Sequence, residues 1–218
     1  MDNKRKSVKV AKPRLMAYLE EKNNDILDIE DGMLINNISI FESEIKIREA
    51  RKISFDGVIF NRVDFKGITF RSLELTDVRF ENCDLSNADF SEAVIHRTEF
   101  INCKLMGLNL NEASLYNIYM DKCNCKFILM NYVKMKSVVL SDCIFESSYF
   151  QDSTLDKVEF DKCNFRQSQL SGTSLSGMDL SSSDFEGVGL RYEDLRGAIV
   201  SPLQAIDLAK IFGMIVKE

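Results

Sequence analysis

Residues 83–92 read CDLSNADFSE, two units of five residues in which a small residue stands two positions before a large apolar one. The same spacing continues far beyond this stretch. Every residue number divisible by five, from Ile35 to Val200, holds an apolar residue, and no insertion shifts the series. A helix repeats every 3.6 residues and a strand every two, so neither element can keep this series on one side. The period therefore requires another architecture.

A second apolar series lies two residues before the first, as at Val58, Ile68, Cys83 and Ala88. Two positions separated by one residue point to the same side of a strand. The other three residues of each unit are mostly polar and can form a bend. We therefore predict that each unit is a short strand followed by a turn, with both apolar positions inside.

This pattern resembles the repeats of the pentapeptide-repeat family, and Ala88-Asp89-Phe90-Ser91-Glu92 is a good example of the similarity. The resemblance implies an all-β solenoid: a right-handed quadrilateral β-helix with four units per coil. Over residues 33–200 this gives about 8.5 coils. Such units cannot bury their apolar side alone and are stable only when stacked.

The cysteines offer an independent indication of four units per coil. Five of the six recur every twenty residues, at Cys83, Cys103, Cys123, Cys143 and Cys163. Twenty residues are four units, so these thiols are predicted to form one column. Their place at a small inward position favours reduced thiols that fill core space over disulfides.

Composition predicts one domain of 218 residues with a large core, since 45% of the residues are hydrophobic. No run of 18 apolar residues predicts a membrane span. The basic N-terminus lacks the apolar region of a secretory signal. We therefore expect a cytoplasmic protein with no membrane partner.

Residues 1–32 are predicted to be a basic tail and an N-terminal capping helix. The tail, residues 1–11, carries Lys4, Arg5, Lys6 and Lys9, and we interpret it as a solvated tail rather than a nucleic-acid arm. Pro13 suits the first position of a helix that extends to Lys22. A cap is needed because an open solenoid end exposes strand edges.

Residues 201–218 are predicted to form a C-terminal helix and strand. Ser201 is the expected N-cap, Leu203–Phe212 the helix, Gly213 its C′ residue and Met214–Val216 the strand. The segment resembles the C-terminal module of Qnr- and MfpA-like pentapeptide-repeat proteins, which implies end-to-end homodimers. The candidate dimerisation residues are Leu203, Ile206, Leu208, Ile211, Phe212, Met214 and Ile215.

Catalytic chemistry finds little support in the sequence. The single histidine, His96, falls at an outward position, so no oriented Ser-His-Asp or Cys-His group is indicated. Cys123 and Cys125 lack two further ligands for zinc. Gly172–Gly177 has the glycine spacing of a phosphate loop, but Met178 and Asp179 replace its Lys-Ser/Thr. We predict no enzyme activity, no metal site and no cofactor.

One face of the predicted rod is acidic. It holds Glu42 and the candidate partner-binding residues Glu81, Glu99, Asp121, Asp142, Glu159, Asp161 and Asp179, against four basic residues. The Qnr- and MfpA-like resemblance implies a protein that imitates DNA and binds a type II topoisomerase, above all DNA gyrase. It implies altered gyrase activity or quinolone sensitivity, without direct binding of nucleic acid.

A second hypothesis is a structural or protein-interaction scaffold of the same family, without topoisomerase activity. Leu129, Tyr132 and Tyr149 fall at outward positions close to one another and form a candidate apolar binding patch. Both hypotheses remain open on the sequence.

Overall fold

The computed structural model describes residues 7–23 and 26–217, which wind into a parallel β-solenoid with one coil per twenty residues. The strands are β1 (Glu20–Asn23), β2 (Ile26–Leu27), β3 (Leu34–Asn36), β4 (Ile38–Phe41), β5 (Glu44–Ile45), β6 (Glu49–Arg51), β7 (Ser54–Asp56), β8 (Ile59–Asn61), β9 (Thr69–Arg71), β10 (Glu74–Glu81), β11 (Val94–Ile101), β12 (Ser114–Asp121), β13 (Lys134–Ser141) and β14 (Thr154–Asp161). A 3₁₀-helix, Tyr192–Leu195, and α1, Pro202–Ile211, complete the chain.

The strand register confirms the predicted coil. Each of β10 to β14 pairs in parallel with the next, twenty residues on, and each covers two faces. Single bridges such as Asp84–Lys104 and Asp89–Asn109 continue the other two faces. The four ladders make a quadrilateral β-helix. The twenty-residue register extends from the Leu34–Ser54 pair to the Asp179–Ile199 pair.

The residues at multiples of five form interior columns, as predicted. Phe80 lies between Phe60 and Phe100, with ring centroids 5.0 and 4.9 Å away and the rings stacked. All three rings are buried. Parallel strands of one register place identical positions about 4.8 Å apart, which suits stacked aromatic rings.

Cysteine, serine and threonine at the small inward positions make one common type of hydrogen bond. Cys103 Sγ donates to the Phe80 carbonyl at 3.5 Å, and Ser168 Oγ donates to the Phe145 carbonyl at 2.6 Å, each 23 residues back. Cysteine, serine and threonine are therefore interchangeable here. The six cysteines are buried and free, and burial raises the pKa of the Cys125 thiol well above its ordinary value.

Most corners of the coil have a left-handed backbone two residues after the large apolar residue. Asn87, Asn117 and Asp142, for example, have φ values of 56°, 56° and 50°. Asparagine and aspartate tolerate this conformation better than most residues. The corners therefore carry polar side chains along the rod.

The predicted N-terminal helix, Pro13 to Lys22, is wrong. β1 pairs with β4, and β2 pairs with β5, both with an offset of eighteen residues. Leu27 and Ile29 are buried against the first coil. A ten-residue helix is marginal on its own, whereas a strand satisfies the open edge of the solenoid. A partial β-coil thus forms the cap.

The C-terminal helix is confirmed, but the strand after it is not. Ser201 and Gln204 form a capping box, and the Met214 amide donates to the Ala209 carbonyl around Gly213, whose φ is 81°. Gln204 Nε2 donates to the carbonyls of Leu180 and Ser183, so α1 covers the last coil. Residues 214–216 form no strand, because α1 occupies the coil end where an edge would be available.

Candidate interaction surfaces

The predicted acidic residues do lie on one face of the rod. β10 to β14 align Arg79, Glu99, Tyr119, Val139 and Glu159 in one column and Glu81, Ile101, Asp121, Ser141 and Asp161 in another. Their charges, however, are not equally available to a partner.

In the first coils the carboxylates of this face are neutralised. Arg62 contacts Glu42 at 2.8 Å. Arg79 contacts Glu99 at 2.7 Å and Glu81 at 3.5 Å, and Glu99 is buried. These pairs form between neighbouring coils because equivalent positions stack about 4.8 Å apart. Glu81 and Glu99 are therefore weak candidates for contacting a cationic partner.

Further along, the face is more strongly acidic. We call Asp121, Asp142, Glu159, Asp161 and Asp179 the acidic half. Lys122 lies 3.9 Å from Asp121, Lys162 is a further cation on this face, and Lys157 lies at the edge of the face beside Glu159. A groove of about 480 Å³ is lined by three of its members, Glu159, Asp161 and Asp179, together with Ser7 and Val8. The acidic half therefore combines negative charge with a surface groove.

The residues of the predicted apolar patch lie close together, with Leu129 half-buried. Leu129 and Tyr149 pair across neighbouring coils, and Tyr132 lies at the next corner with 58% of its surface exposed. Phe127, which the repeat also places at an outward position, is 52% exposed at the adjacent corner. Phe127 and Tyr132 have φ values of 60° and 59°. Bulky residues rarely adopt this conformation, and the other non-glycine residues of positive φ are polar.

The C-terminal module divides its apolar residues between two sides. Leu208 lines a small cavity with Leu180, Phe185 and Leu190, so it belongs to the cap of the last coil. The remaining candidates are exposed, most strongly Leu203 at 75% and Ile215 at 91%. The exposed candidates are Leu203, Ile206, Ile211, Phe212, Met214 and Ile215.

Residues 7–14 lie along the rod, although the sequence predicts a solvated tail and the start of a helix there. We call residues 7–14 the strap. Three of its backbone amides donate hydrogen bonds to side chains of the rod. The Val8 amide donates to Glu159 Oε2 at 2.9 Å, and the Ala11 amide to Asn117 Oδ1 at 3.2 Å. The Arg14 amide donates to Asp77 Oδ1 at 2.8 Å. The prediction of a solvated tail is therefore wrong for residues 7–11, while residues 1–6 lie outside the described residues.

Comparison with known families decides the classification. The pentapeptide repeat region model matches residues 73–140 and 93–163, and the model for pentapeptide repeats (8 copies) matches residues 148–187 and 163–201. These matches extend from residue 73 to residue 201, more than half of the chain. The protein belongs to the pentapeptide-repeat family.

Solved structures of other pentapeptide-repeat proteins are similar at low identity. HetL, involved in heterocyst differentiation regulation in the cyanobacterium Nostoc, is 19% identical, covering 78% of this chain and 85% of its own, with a TM-score of 0.45. Full-length QnrB1, a plasmid-mediated fluoroquinolone resistance protein, is 22% identical, covering 90% and 98%, with a TM-score of 0.42. No curated protein sequence matches this pentapeptide-repeat protein.

The strap of this pentapeptide-repeat protein ends beside a buried ion pair. Arg97 contacts Asp77 through two nitrogens, at 2.5 and 2.6 Å, and only 15% and 10% of the two side chains are exposed. Hydrogen bonding from Arg97 lowers the pKa of Asp77 against the effect of burial, and the Arg14 amide lowers it further. His96 is half-buried against Arg97, and burial and this charge lower the pKa of its imidazole. Asp77 is therefore an ionised acceptor shared by the rod and the strap.

The part of this pentapeptide-repeat protein that the structure describes contains no group of three or more His, Cys, Asp or Glu residues arranged to hold a metal ion. Within residues 7–23 and 26–217, no helix has the length and apolar character needed to cross a membrane. Three surfaces of the described residues are candidates for engaging other molecules: the acidic half, the apolar patch and the exposed side of the C-terminal module.

Proposed function

We propose that this pentapeptide-repeat protein is a non-enzymatic cytoplasmic protein that binds a type II topoisomerase, DNA gyrase above all, and modulates its activity or quinolone sensitivity. The acidic half carries the proposal, because it can stand in for DNA phosphates. The resemblance of the repeats and C-terminal module to Qnr- and MfpA-like proteins supports a topoisomerase as the partner.

The number of carboxylates in the acidic half suits this role. From Asp121 to Asp179 the chain makes nearly three coils, about 14 Å of rod. One DNA strand carries about four phosphates over that length. The acidic half has five carboxylates, close to this number, and Lys122, Lys157 and Lys162 beside them bring its net charge from −5 to −2. It therefore resembles one strand of a duplex in the number of its acidic groups, while the paired carboxylates of the first coils do not.

The decisive experiment is a gyrase supercoiling assay with and without a quinolone. Neutralising Asp142, Asp161 and Asp179 together, each to asparagine, should weaken the effect of the protein at least tenfold, and the effect of the unchanged protein should fall as salt rises. Glu92→Gln, Glu112→Gln and Asp152→Asn form the matched control, since these three acids are exposed on another corner. They should leave the effect unchanged.

The proposal is contradicted if the wild-type protein is dimeric at low salt but neither alters supercoiling nor protects gyrase. Equal losses in the two triple variants would also contradict it, since they would show a response to net charge alone.

A second candidate function is a protein-interaction scaffold that uses the apolar patch. Phe127 and Tyr132 favour this function. Both are exposed aromatic residues at left-handed corners, and no packing contact among the described residues explains why they keep this unfavourable backbone conformation. The same assay separates the candidates. Tyr132→Ala with Tyr149→Ala should leave the gyrase effect intact under the first proposal. Under the second, the acidic variants have no consequence and the tyrosine variants lose the partner.

We further propose a homodimer through the exposed side of the C-terminal module, since Leu203 and Ile215 would otherwise leave large apolar side chains in water. Leu203→Glu with Ile215→Glu should weaken dimerisation at least tenfold, because two carboxylates would be buried without partners. Sedimentation measures the change. Met16→Glu, at an exposed apolar residue outside the module, is the control and should remain dimeric. A wild-type protein that is monomeric at 100 μM, or a variant that dimerises equally well, contradicts this interface.

A further inference from the structure

The hydrogen-bond donors of the strap and their acceptors on the rod have matching spacings. From Val8 to Ala11 to Arg14 the donors are three residues apart, and their acceptors Glu159, Asn117 and Asp77 are 42 and 40 residues apart. Three residues of extended chain span about 9.3–9.9 Å. Two coils span about 9.6 Å. The match allows an extended peptide to meet an acceptor on every second coil, although Asp77 and Asn117 lie at one corner and Glu159 lies two residues past that corner, which Lys157 occupies in its coil.

The remaining amides and side chains of the strap fit this arrangement. The amides of Lys9, Val10 and Lys12 donate no hydrogen bond to any described residue. Val8, Val10 and Pro13 are half-buried, while Lys9 and Lys12 are exposed. The strap carries three positive charges, Lys9, Lys12 and Arg14, and no negative one. The rod thus holds this extended basic segment through its backbone amides and small apolar side chains, while Lys9 and Lys12 remain exposed.

The strap also occupies part of the surface that a basic partner would need. Val8 uses Glu159, a member of the acidic half, and Ser7 and Val8 line the groove with Asp161 and Asp179. The first fourteen residues hold six of the 28 basic residues and one of the 34 acidic ones, so the rest of the chain has a net charge of −11 instead of −6. Release of the strap would therefore expose a more negative rod.

We propose that the surface formed by Asp77, Asn117 and Glu159 is a binding site for extended basic peptides, that residues 7–14 fill it in cis, and that they compete with a basic partner for the acidic half. The part concerning the partner rests on the proposed function, whereas the peptide site does not. The strap is then a built-in competitor that sets how readily the acidic half is contacted.

Amide hydrogen exchange in the full chain tests the peptide site directly. The amides of Val8, Ala11 and Arg14 should exchange at least tenfold more slowly than those of Lys9, Val10 and Lys12, relative to their rates in a free peptide. Asn117→Gly removes the acceptor of Ala11 without straining the left-handed corner, and should abolish the protection of Ala11. Uniform exchange at the rates of a free peptide overturns the inference.

A proline pair tests the competition without changing charge. Val8→Pro with Ala11→Pro removes two of the three donors, and Val10→Pro with Met16→Pro is the matched control at amides that donate to no described residue. A labelled peptide of residues 1–16 should bind the first variant at least tenfold more tightly than the wild type or the control. The same peptide with prolines at positions 8 and 11 should not bind. Equal binding to all three proteins overturns the competition.

The gyrase assay separates this inference from the proposed function. Val8→Pro with Ala11→Pro should act on gyrase at several-fold lower concentration than the wild type. If exchange and peptide binding behave as expected but no protein affects gyrase, the proposed function fails and the peptide site stands. If gyrase responds equally to wild type and variant, the competition fails and the proposed function stands.

Discussion

Replacing Phe80 with alanine is expected to lower the free energy of unfolding by about 3–5 kcal/mol. The ring is buried and lies 4.9 to 5.5 Å, between centroids, from those of Phe60, Phe65 and Phe100. Its removal would leave a cavity in the middle of a column whose other members are held by strand register and cannot close the gap. Equilibrium unfolding in urea, followed by circular dichroism, measures the loss.

Phe127→Ala is the matched control, because it makes the same chemical change at an exposed corner. It should alter the free energy of unfolding by no more than about 0.5 kcal/mol. Similar losses in the two variants would mean that the columns at multiples of five do not form the core. In a solenoid each coil contacts only its neighbours, so the loss should be concentrated in the coils around β10.

The second large effect is expected at Asp77. Asp77→Asn should lower the free energy of unfolding at neutral pH by about 2–3 kcal/mol, because Arg97 would lose its charged partner in a largely buried site. Asparagine tolerates the left-handed corner, where φ is 56°, so backbone strain does not enter. Asp142→Asn is the control at an exposed corner of φ 50°, with an expected change within about 0.5 kcal/mol.

The effect of Asp77→Asn should depend on pH in one direction. The pKa of Asp77 in the folded protein is lowered from its ordinary value of 3.8. A carboxyl with a lowered pKa contributes stability above its unfolded pKa and loses it as the pH falls through the folded pKa. The difference between wild type and variant should therefore be full at pH 6 and shrink below about pH 4. A difference that stays constant down to pH 2 contradicts the ionic origin of the effect.

The sequence was sufficient for the repeat region of the fold and for the placement of most of its surface residues. Multiples of five from Ile35 to Val200 placed Phe80 and its neighbours inside, and the twenty-residue spacing of the cysteines showed four units per coil. The strand register between coils then follows, because each coil repeats the residue positions of the coil before it. The same arithmetic placed Asp121 and Asp161 on one face and brought Tyr149 beside Leu129.

Local patterns were misleading at the ends, where the period stops. Residues 13–22 have the proline and apolar spacing of a helix, yet β1 pairs with β4, because a short helix is marginal alone and the open solenoid edge has unpaired backbone groups that a strand satisfies. The strand predicted at residues 214–216 failed because α1 occupies the coil end. These outcomes depend on what lies next to the segment in space.

What the sequence by itself determined is the interior, because a strict five-residue period leaves one way to bury the large side chains. Only the tertiary structure decided which charges on the surface can contact a binding partner. Arg79 neutralises Glu99 across one coil, and residues 7–14 reach Asp77, Asn117 and Glu159 across four. Such contacts join residues tens to more than a hundred positions apart, and they arise from the distance between coils, which no local pattern contains.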